Sequence, residues 1–231
     1  MTDTLIEARG LSAGYGKMAV VRDLDLHVDA GEVVALVGPN GAGKTTTLLT
    51  LAGELAPLEG EVSFMGAPTT APMHARCRNG LSFVTEERSV IMDMSVADNL
   101  KLAAVAPEVA IGLFPALERI LGRSAGLCSG GEQQMLTLAR ALGRDPEVLL
   151  ADELSLGLAP LIVTHLLAAL RSAADEKGIA VLLVEQHVRQ ALQMADRVYV
   201  MERGRVALSG TSAEVADQLD AVESAYLSQD S

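Results

Sequence analysis

Val33-Val34-Ala35-Leu36-Val37 runs straight into Gly38-Pro39-Asn40-Gly41-Ala42-Gly43-Lys44-Thr45-Thr46, and this junction decides the fold. Five apolar residues without alternation read as a strand buried on both faces, the habit of a central parallel strand covered on each side by helices. The nine residues that follow read as a tight turn into a helix. Glycines at 38, 41 and 43 permit backbone angles that side chains forbid, so successive N–H groups can turn inward on an anion. Lys44 adds a point charge to that nest. Thr45 opens the helix with a hydroxyl suited to Mg²⁺, and the helix N-terminus supplies partial positive charge. Gly, four residues, then Gly-Lys-Thr between a strand and a helix predicts a phosphate cradle.

The whole chain bounds what can be built around that cradle. At 231 residues it is long enough for one substantial core, or for one core with a smaller attached lobe. No apolar run approaches the roughly 20 residues of a membrane-crossing helix. The start, Met1-Thr2-Asp3-Thr4-Leu5, lacks the basic and apolar regions of an export signal, which predicts a cytoplasmic location. A net charge of −12 repels phosphate backbones and predicts no nucleic-acid partner. No Trp and 3% aromatic residues leave little for a base-stacking platform. Cys77 and Cys128 make no metal-type spacing with His27, His74, His165 or His187 and read as free buried thiols.

Upstream of the cradle, Leu5–Gly10 and Val20–Val28 read as strands. In the second, Leu24, Leu26 and Val28 alternate with Asp23, Asp25 and His27, predicting a half-exposed antiparallel sheet. Tyr15 falls between Gly14 and Gly16 in the expected connecting loop, where it is either an exposed turn tyrosine or a face that stacks on a planar ligand. Downstream, Val148–Ala151 and Ile179–Val184 repeat the buried-strand character and close on Asp152 and Glu185. Met135, Leu138, Ala139, Leu142 and Val163, Leu166, Leu167, Leu170 repeat at helical spacing. Buried strands alternating with amphipathic helices predict an α/β fold with a mainly parallel sheet sandwiched by helices. Ligands of such sheets sit beyond the carboxyl ends of the strands, where Gly38 and Asp152 both fall.

Residues 86–127 contain helical patches around Val96–Ala104 and Pro115–Leu121 and no buried strand, so they read as an inserted helical lobe. Ser95 with Asp98 has the spacing of a helix cap. A hairpin is expected at Glu202-Arg203-Gly204, and a polar helix with an Ala225-Tyr226-Leu227 tail closes the chain.

The cradle alone suits a kinase, a GTPase or an ATPase. Asp152-Glu153 at the end of a buried run narrows the choice. Adjacent strand residues point to opposite sides, so Asp152 can hold hydrated Mg²⁺ while Glu153 faces a water and prepares its attack on a γ-phosphate. Cys128-Ser129-Gly130-Gly131-Glu132-Gln133-Gln134 precedes an amphipathic helix. Ser129 and Glu132 have capping-box spacing, but two glycines inside a helix start weaken it. They make sense where backbone approaches another anion.

Taken together, Gly38–Thr46, Ser129–Gln133 and Asp152-Glu153 resemble the ATP-binding subunit of an ABC transporter, over essentially the whole chain. The resemblance implies a P-loop core with an N-terminal antiparallel β subdomain and an inserted helical subdomain, divided as 1–85 with 141–231 and 86–140. It implies ATP and Mg²⁺ as cofactors. Tyr15 matches the aromatic that stacks on adenine, and residues 38–46 the nucleotide cradle. Two subunits of this family pack head to tail, so Ser129, Gly130, Gly131 and Glu132 of one would close over the γ-phosphate of the other. Lys44, Glu153 and Gln186 take the catalytic positions, and Thr45, Glu86 and Asp152 the metal positions. The resemblance also implies membrane permease subunits, a second ATPase subunit of the same or a sister type, and indirect dependence on an extracytoplasmic solute-binding protein. The chain would lie on the inner face of the cell membrane through the permease.

Leu113-Phe114-Pro115, Gly131–Leu136, Leu156-Gly157-Leu158-Ala159-Pro160, Leu183-Val184-Glu185-Gln186 and Ala195–Val200 are similar to the second ATP-binding subunit of branched-chain amino acid importers. Urea and short-amide importers use related subunits. Glu86 stands where most of the family has glutamine, Gln186 where it has the switch histidine, and Ala159 where it has an inter-subunit aspartate; the amino acid subfamily resembles this chain at all three. Cys128 for leucine, Leu154 for proline, Thr85-Glu86-Glu87-Arg88 for Pro-Glu-Gly-Arg and a short, apolar Ala103–Gly112 depart from the pattern. A non-transport ATPase of the same family and a regulatory nucleotide-binding module stand as alternative readings.

Overall fold

The computed structural model describes residues 3–218 apart from Arg88 and His187. The chain opens with β1 (Thr4–Tyr15) and β2 (Met18–Asp29), then β3 (Val33–Val37) and α1 (Lys44–Ala52). β4 (Glu59–Phe64), β5 (Ala67–Pro68), α2 (Met73–Arg78) and β6 (Leu81–Val84) follow. The helical stretch is α3 (Val96–Leu102), α4 (Pro107–Leu113), a 3₁₀ turn at Pro115–Ile120 and another at Ala125–Leu127, leading into α5 (Gly130–Leu142). The rest is β7 (Val148–Asp152), α6 (Pro160–Lys177), β8 (Ala180–Glu185), α7 (Val188–Leu192), β9 (Arg197–Glu202), β10 (Arg205–Thr211) and α8 (Ser212–Ala216). The expected Ala225-Tyr226-Leu227 tail lies outside the described residues.

The strands form two sheets. One is antiparallel in the order β2-β1-β4-β5; the other has the order β10-β9-β3-β8-β7-β6 and is parallel except for the β9–β10 hairpin. β3 is therefore interior, with β8 and β9 at its sides. Its residues alternate between two cores. Val33, Ala35 and Val37 pack with α5 and α6, while Val34 and Leu36 pack with Leu24, Leu26, Leu48 and Leu51. The expectation of helices on both faces is thus corrected: on one face α1 shares the cover with the antiparallel sheet. That sheet buries Leu24, Leu26 and Val28 and leaves Asp23 and Asp25 in water, so β2 needs only half its residues apolar.

The β1–β2 hairpin is longer than the sequence pattern indicates. Tyr15 is the last residue of β1 and pairs with Met18 across the turn at Gly16-Lys17, so it does not sit in a loop. α4 lies in the short apolar segment where no helix was expected, starting with Pro107 at a position whose N–H would be unbonded anyway. The patch at Pro115–Leu121 is a 3₁₀ turn. Ser95 caps α3 by accepting from the Asp98 N–H at 3.0 Å.

α1 continues from the cradle, and four of its nine residues are threonines, weaker helix formers than its leucines, lysine and alanine. Thr47 and Thr50 are fully buried and donate their hydroxyls back to Gly43 O (3.0 Å) and Thr46 O (2.8 Å), so neither is left unpaired. The far end is closed by Arg76, 2% exposed, which donates to Leu51 O at 2.6 Å and Ala71 O at 2.8 Å. A guanidinium there satisfies the Leu51 carbonyl that the helix leaves open and complements the negative end of its dipole. Burial pulls the Arg76 pKa down.

Candidate functional site

Gly41 and Gly43 hold φ of +79° and +105°, angles that favour glycine. Gly38 serves differently from the expectation: its backbone is ordinary, but a Cβ there would meet Met201 O at 2.6 Å and Ala42 Cβ at 3.2 Å. Close approach of β9 requires glycine at 38. The result is a cleft of about 520 Å³ lined by Val20, Asn40, Gly41, Gly43, Lys44, Thr45, Thr46, Glu86, Glu153, Leu156 and Gln186.

Lys44 is 5% exposed, and its ammonium donates to Gly38 O (2.8 Å) and Pro39 O (3.2 Å). Burial lowers its pKa, opposed by Glu153, Asp152 and Glu185 in that order. Glu153 Oε1 lies 3.9 Å from the ammonium.

Strand alternation does not set the direction of Glu153. β7 ends at Asp152, and Glu153 leaves it with φ +48°, a left-handed conformation rare outside glycine. Its N–H donates to Val184 O at 3.0 Å, and its carboxylate accepts from Gln186 Nε2 at 2.9 Å to each oxygen. The same Nε2 lies 2.9 Å from Asn40 Oδ1. One amide thus ties the cradle to the carboxylate.

Asp152 is 3% exposed, and its Oδ1 is buried without a hydrogen-bond partner among the described residues. Burial raises its pKa, while the Thr45 hydroxyl pulls the other way; Glu153 and Glu86 raise it further. An orphaned carboxylate oxygen beside a threonine hydroxyl, with Glu86 on the cleft wall, is an all-oxygen donor set of the kind Mg²⁺ takes. The residues fit that ion.

Two predicted groups stand apart from this cleft. Tyr15 is 52% exposed and does not line it; Val20 forms that wall. Ser129, Gly130, Gly131 and Glu132 do not line it either. Ser129 accepts from the Glu132 N–H at 3.3 Å, and the Glu132 carboxylate accepts from the Ser129 N–H at 2.7 Å, the reciprocal capping box that starts α5. The Ser129 N–H holds the Glu132 pKa below the usual range. His187 lies outside the described residues.

Two departures are explained by packing. Leu154 is 1% exposed and belongs to the core, as does Cys128 at 9%. Cys77 is only partly buried, contrary to expectation. Ser155 and Glu185, which line an adjoining cleft, are not singled out by the sequence pattern. The signal available for Glu185 was a carboxylate closing a fully buried strand, as Asp152 does.

The fold and the cleft together define a P-loop nucleotide hydrolase, and residues 21–155 match the ABC transporter family. The chain belongs to that family and is an ATP-binding subunit of an ABC transporter, an ATPase. It is similar to a high-affinity branched-chain amino acid transport ATP-binding protein of Pseudomonas aeruginosa, 38% identical over 94% of this chain and 97% of the other. It is also similar to a lipopolysaccharide export system ATP-binding protein of Acidithiobacillus ferridurans, 35% identical over 92% of each. A solved ATP-binding subunit of an ABC transporter is 28% identical, with a TM-score of 0.82 over 97% of this chain and 100% of the other.

Proposed function

We propose that this chain hydrolyses ATP to drive import of a branched-chain amino acid, or a similar small solute, through separate permease subunits. The observation that carries the reading is the convergence of Lys44, Glu153 and Gln186 on one cleft at the ends of β3, β7 and β8. Residues 38–46 cradle the phosphates through backbone N–H groups, and Lys44 exchanges the carbonyls of Gly38 and Pro39 for phosphate oxygens. Asp152, Thr45 and Glu86 would hold Mg²⁺, which when bound neutralises charge on the phosphate oxygens. Glu153 orients and accepts a proton from the water that attacks the γ-phosphate. Gln186 holds the Glu153 carboxylate and, by exchanging that bond, donates to the γ-phosphate.

Ser129, Gly130, Gly131 and Glu132 lie off this cleft, which supports their acting on nucleotide held by a second subunit. Subunits of this family pair with one another and with permeases. We assign Tyr15 to the adenine and favour a sister ATPase as the partner. No helix among the described residues is long and apolar enough to cross a membrane, so a permease would place the chain on the inner membrane face, with the solute-binding protein acting on it only indirectly. The amino acid reading is favoured by the run Leu156–Pro160 and by the Pseudomonas relative; the lipopolysaccharide-export relative supplies the competing reading.

Pull-down of the tagged chain from solubilised native membranes, followed by transport measurement on the recovered complex, tests the proposal. A permease pair that takes up leucine, isoleucine or valine supports it. A complex that moves lipopolysaccharide, or recovery of water-soluble proteins alone, overturns it.

A further inference from the structure

The two loops that carry Glu153 and Gln186 leave the neighbouring parallel strands β7 and β8, and a second side-chain pair joins them behind the cleft. Ser155 Oγ donates to Glu185 Oε2 at 2.6 Å, in the short range of hydrogen bonds to an ionised acceptor. Glu185 is 1% exposed at the end of β8, so this donor satisfies one oxygen of a carboxylate that water scarcely reaches. Between the two strands, Glu153 is fastened on both sides. Its own N–H is bonded to Val184 O at 3.0 Å, Leu154 is buried in the core, and Ser155 is bonded to Glu185. Glu153, whose carboxylate faces the cleft held by Gln186, is also the residue of this run with a left-handed backbone. That conformation is sparsely populated and persists only where its neighbours determine it. The hydroxyl at 155 is the anchor on its C-terminal side.

We propose that Ser155 is a positioning residue: through its bond to Glu185 it holds the turn that aims Glu153, and so sets the rate of the chemical step without touching ATP. The inference rests on the assignment of Glu153 as the residue that orients the attacking water. A wall of the adjoining cleft, about 550 Å³, is formed by Ser155 and Glu185, so removing the hydroxyl leaves space next to the turn for it to relax.

The test is steady-state Mg²⁺-ATP hydrolysis by the full chain carrying Ser155→Ala, Ser155→Thr, Glu185→Leu and the Ser155→Ala/Glu185→Leu pair, each compared with its thermal unfolding midpoint. Ser155→Ala should lower kcat about tenfold, with KM for ATP changed less than about twofold, because a displaced catalytic group costs rate more than ground-state binding. Ser155→Thr, which keeps the hydroxyl, should recover most of the loss. The pair should be no slower than Glu185→Leu alone. An unchanged kcat in Ser155→Ala overturns the proposal, as does a loss that Ser155→Thr fails to restore, or one fully accounted for by unfolded protein. Glu153→Gln is measured alongside. If it still turns over, the assignment of Glu153 fails; if it is inactive while Ser155→Ala is unaffected, only the anchoring role fails.

Discussion

Gln186 Nε2 lies 2.9 Å from both carboxylate oxygens of Glu153. A neutral amide holding a carboxylate in this way can donate but cannot take up a proton near neutral pH, so this contact persists across the range in which a histidine would switch. Gln186→Ala should lower kcat about tenfold or more by freeing Glu153. His187→Ala should leave the ATPase rate and its pH profile in place. A His187→Ala variant with an abolished rate would reverse the assignment.

Glu153→Gln keeps the size and the contact with Gln186 but removes the base. It should retain ATP, lose turnover by at least about a hundredfold and accumulate the closed dimer, read by nucleotide filter binding and gel filtration. Undiminished phosphate release would remove Glu153 from its role.

Arg76 supplies a donor that α1 lacks at its C-terminus, with a bond of 2.6 Å to Leu51 O, and ties it to the loop before α2 with one of 2.8 Å to Ala71 O. Arg76→Met keeps the apolar stem and leaves buried carbonyls unpaired. A loss of roughly 2–3 kcal/mol in unfolding free energy is expected, read by denaturant titration.

Gly204 stands at φ +81° in the β9–β10 turn, and a Cβ there would fall 2.0 Å from Val20 O. Its carbonyl accepts from the Arg22 N–H at 2.8 Å. Val20 lines the cleft that holds Lys44 and Glu153. Gly204→Ala should therefore cost about 1–3 kcal/mol of stability and raise KM for ATP, measured by thermal unfolding and initial rates.

The capping box at α5 makes a pH-dependent contribution. The Glu132 pKa lies below its ordinary value of 4.5, first because of the Ser129 N–H. A depressed folded-state carboxylate stabilises above its unfolded pKa and loses that contribution as pH falls through the folded value. Wild type should unfold at a higher temperature than Glu132→Gln at pH 7, and the difference should vanish below pH 4.5 by way of the lower folded pKa. A difference that stays constant under acid would place the effect elsewhere.

Much of this protein was legible in residue order alone, and the reason is local. A run such as Val33–Val37, the glycine spacing before Lys44, the caps at Ser95 and Ser129 and the periodicity of α5 and α6 depend on hydrogen bonds and side-chain directions within a few residues. β4, β5 and β6 were not legible, because β6 has only two of four residues buried and β5 has two residues in all. Nor was the cover of the central sheet, since an unbroken apolar run in β3 does not say whether a helix or a second sheet lies above it.

What the sequence by itself determined was the phosphate cradle, the buried strands that end in carboxylates, and the family. Only the tertiary structure decided how those ends meet. Gln186 reaches Asn40 across 146 positions and Glu153 across 33, and Ser155 reaches Glu185 across 30. Such contacts follow from strand order, with β8 seated between β3 and β7, and from the left-handed turn at Glu153, which no local preference of glutamate would select.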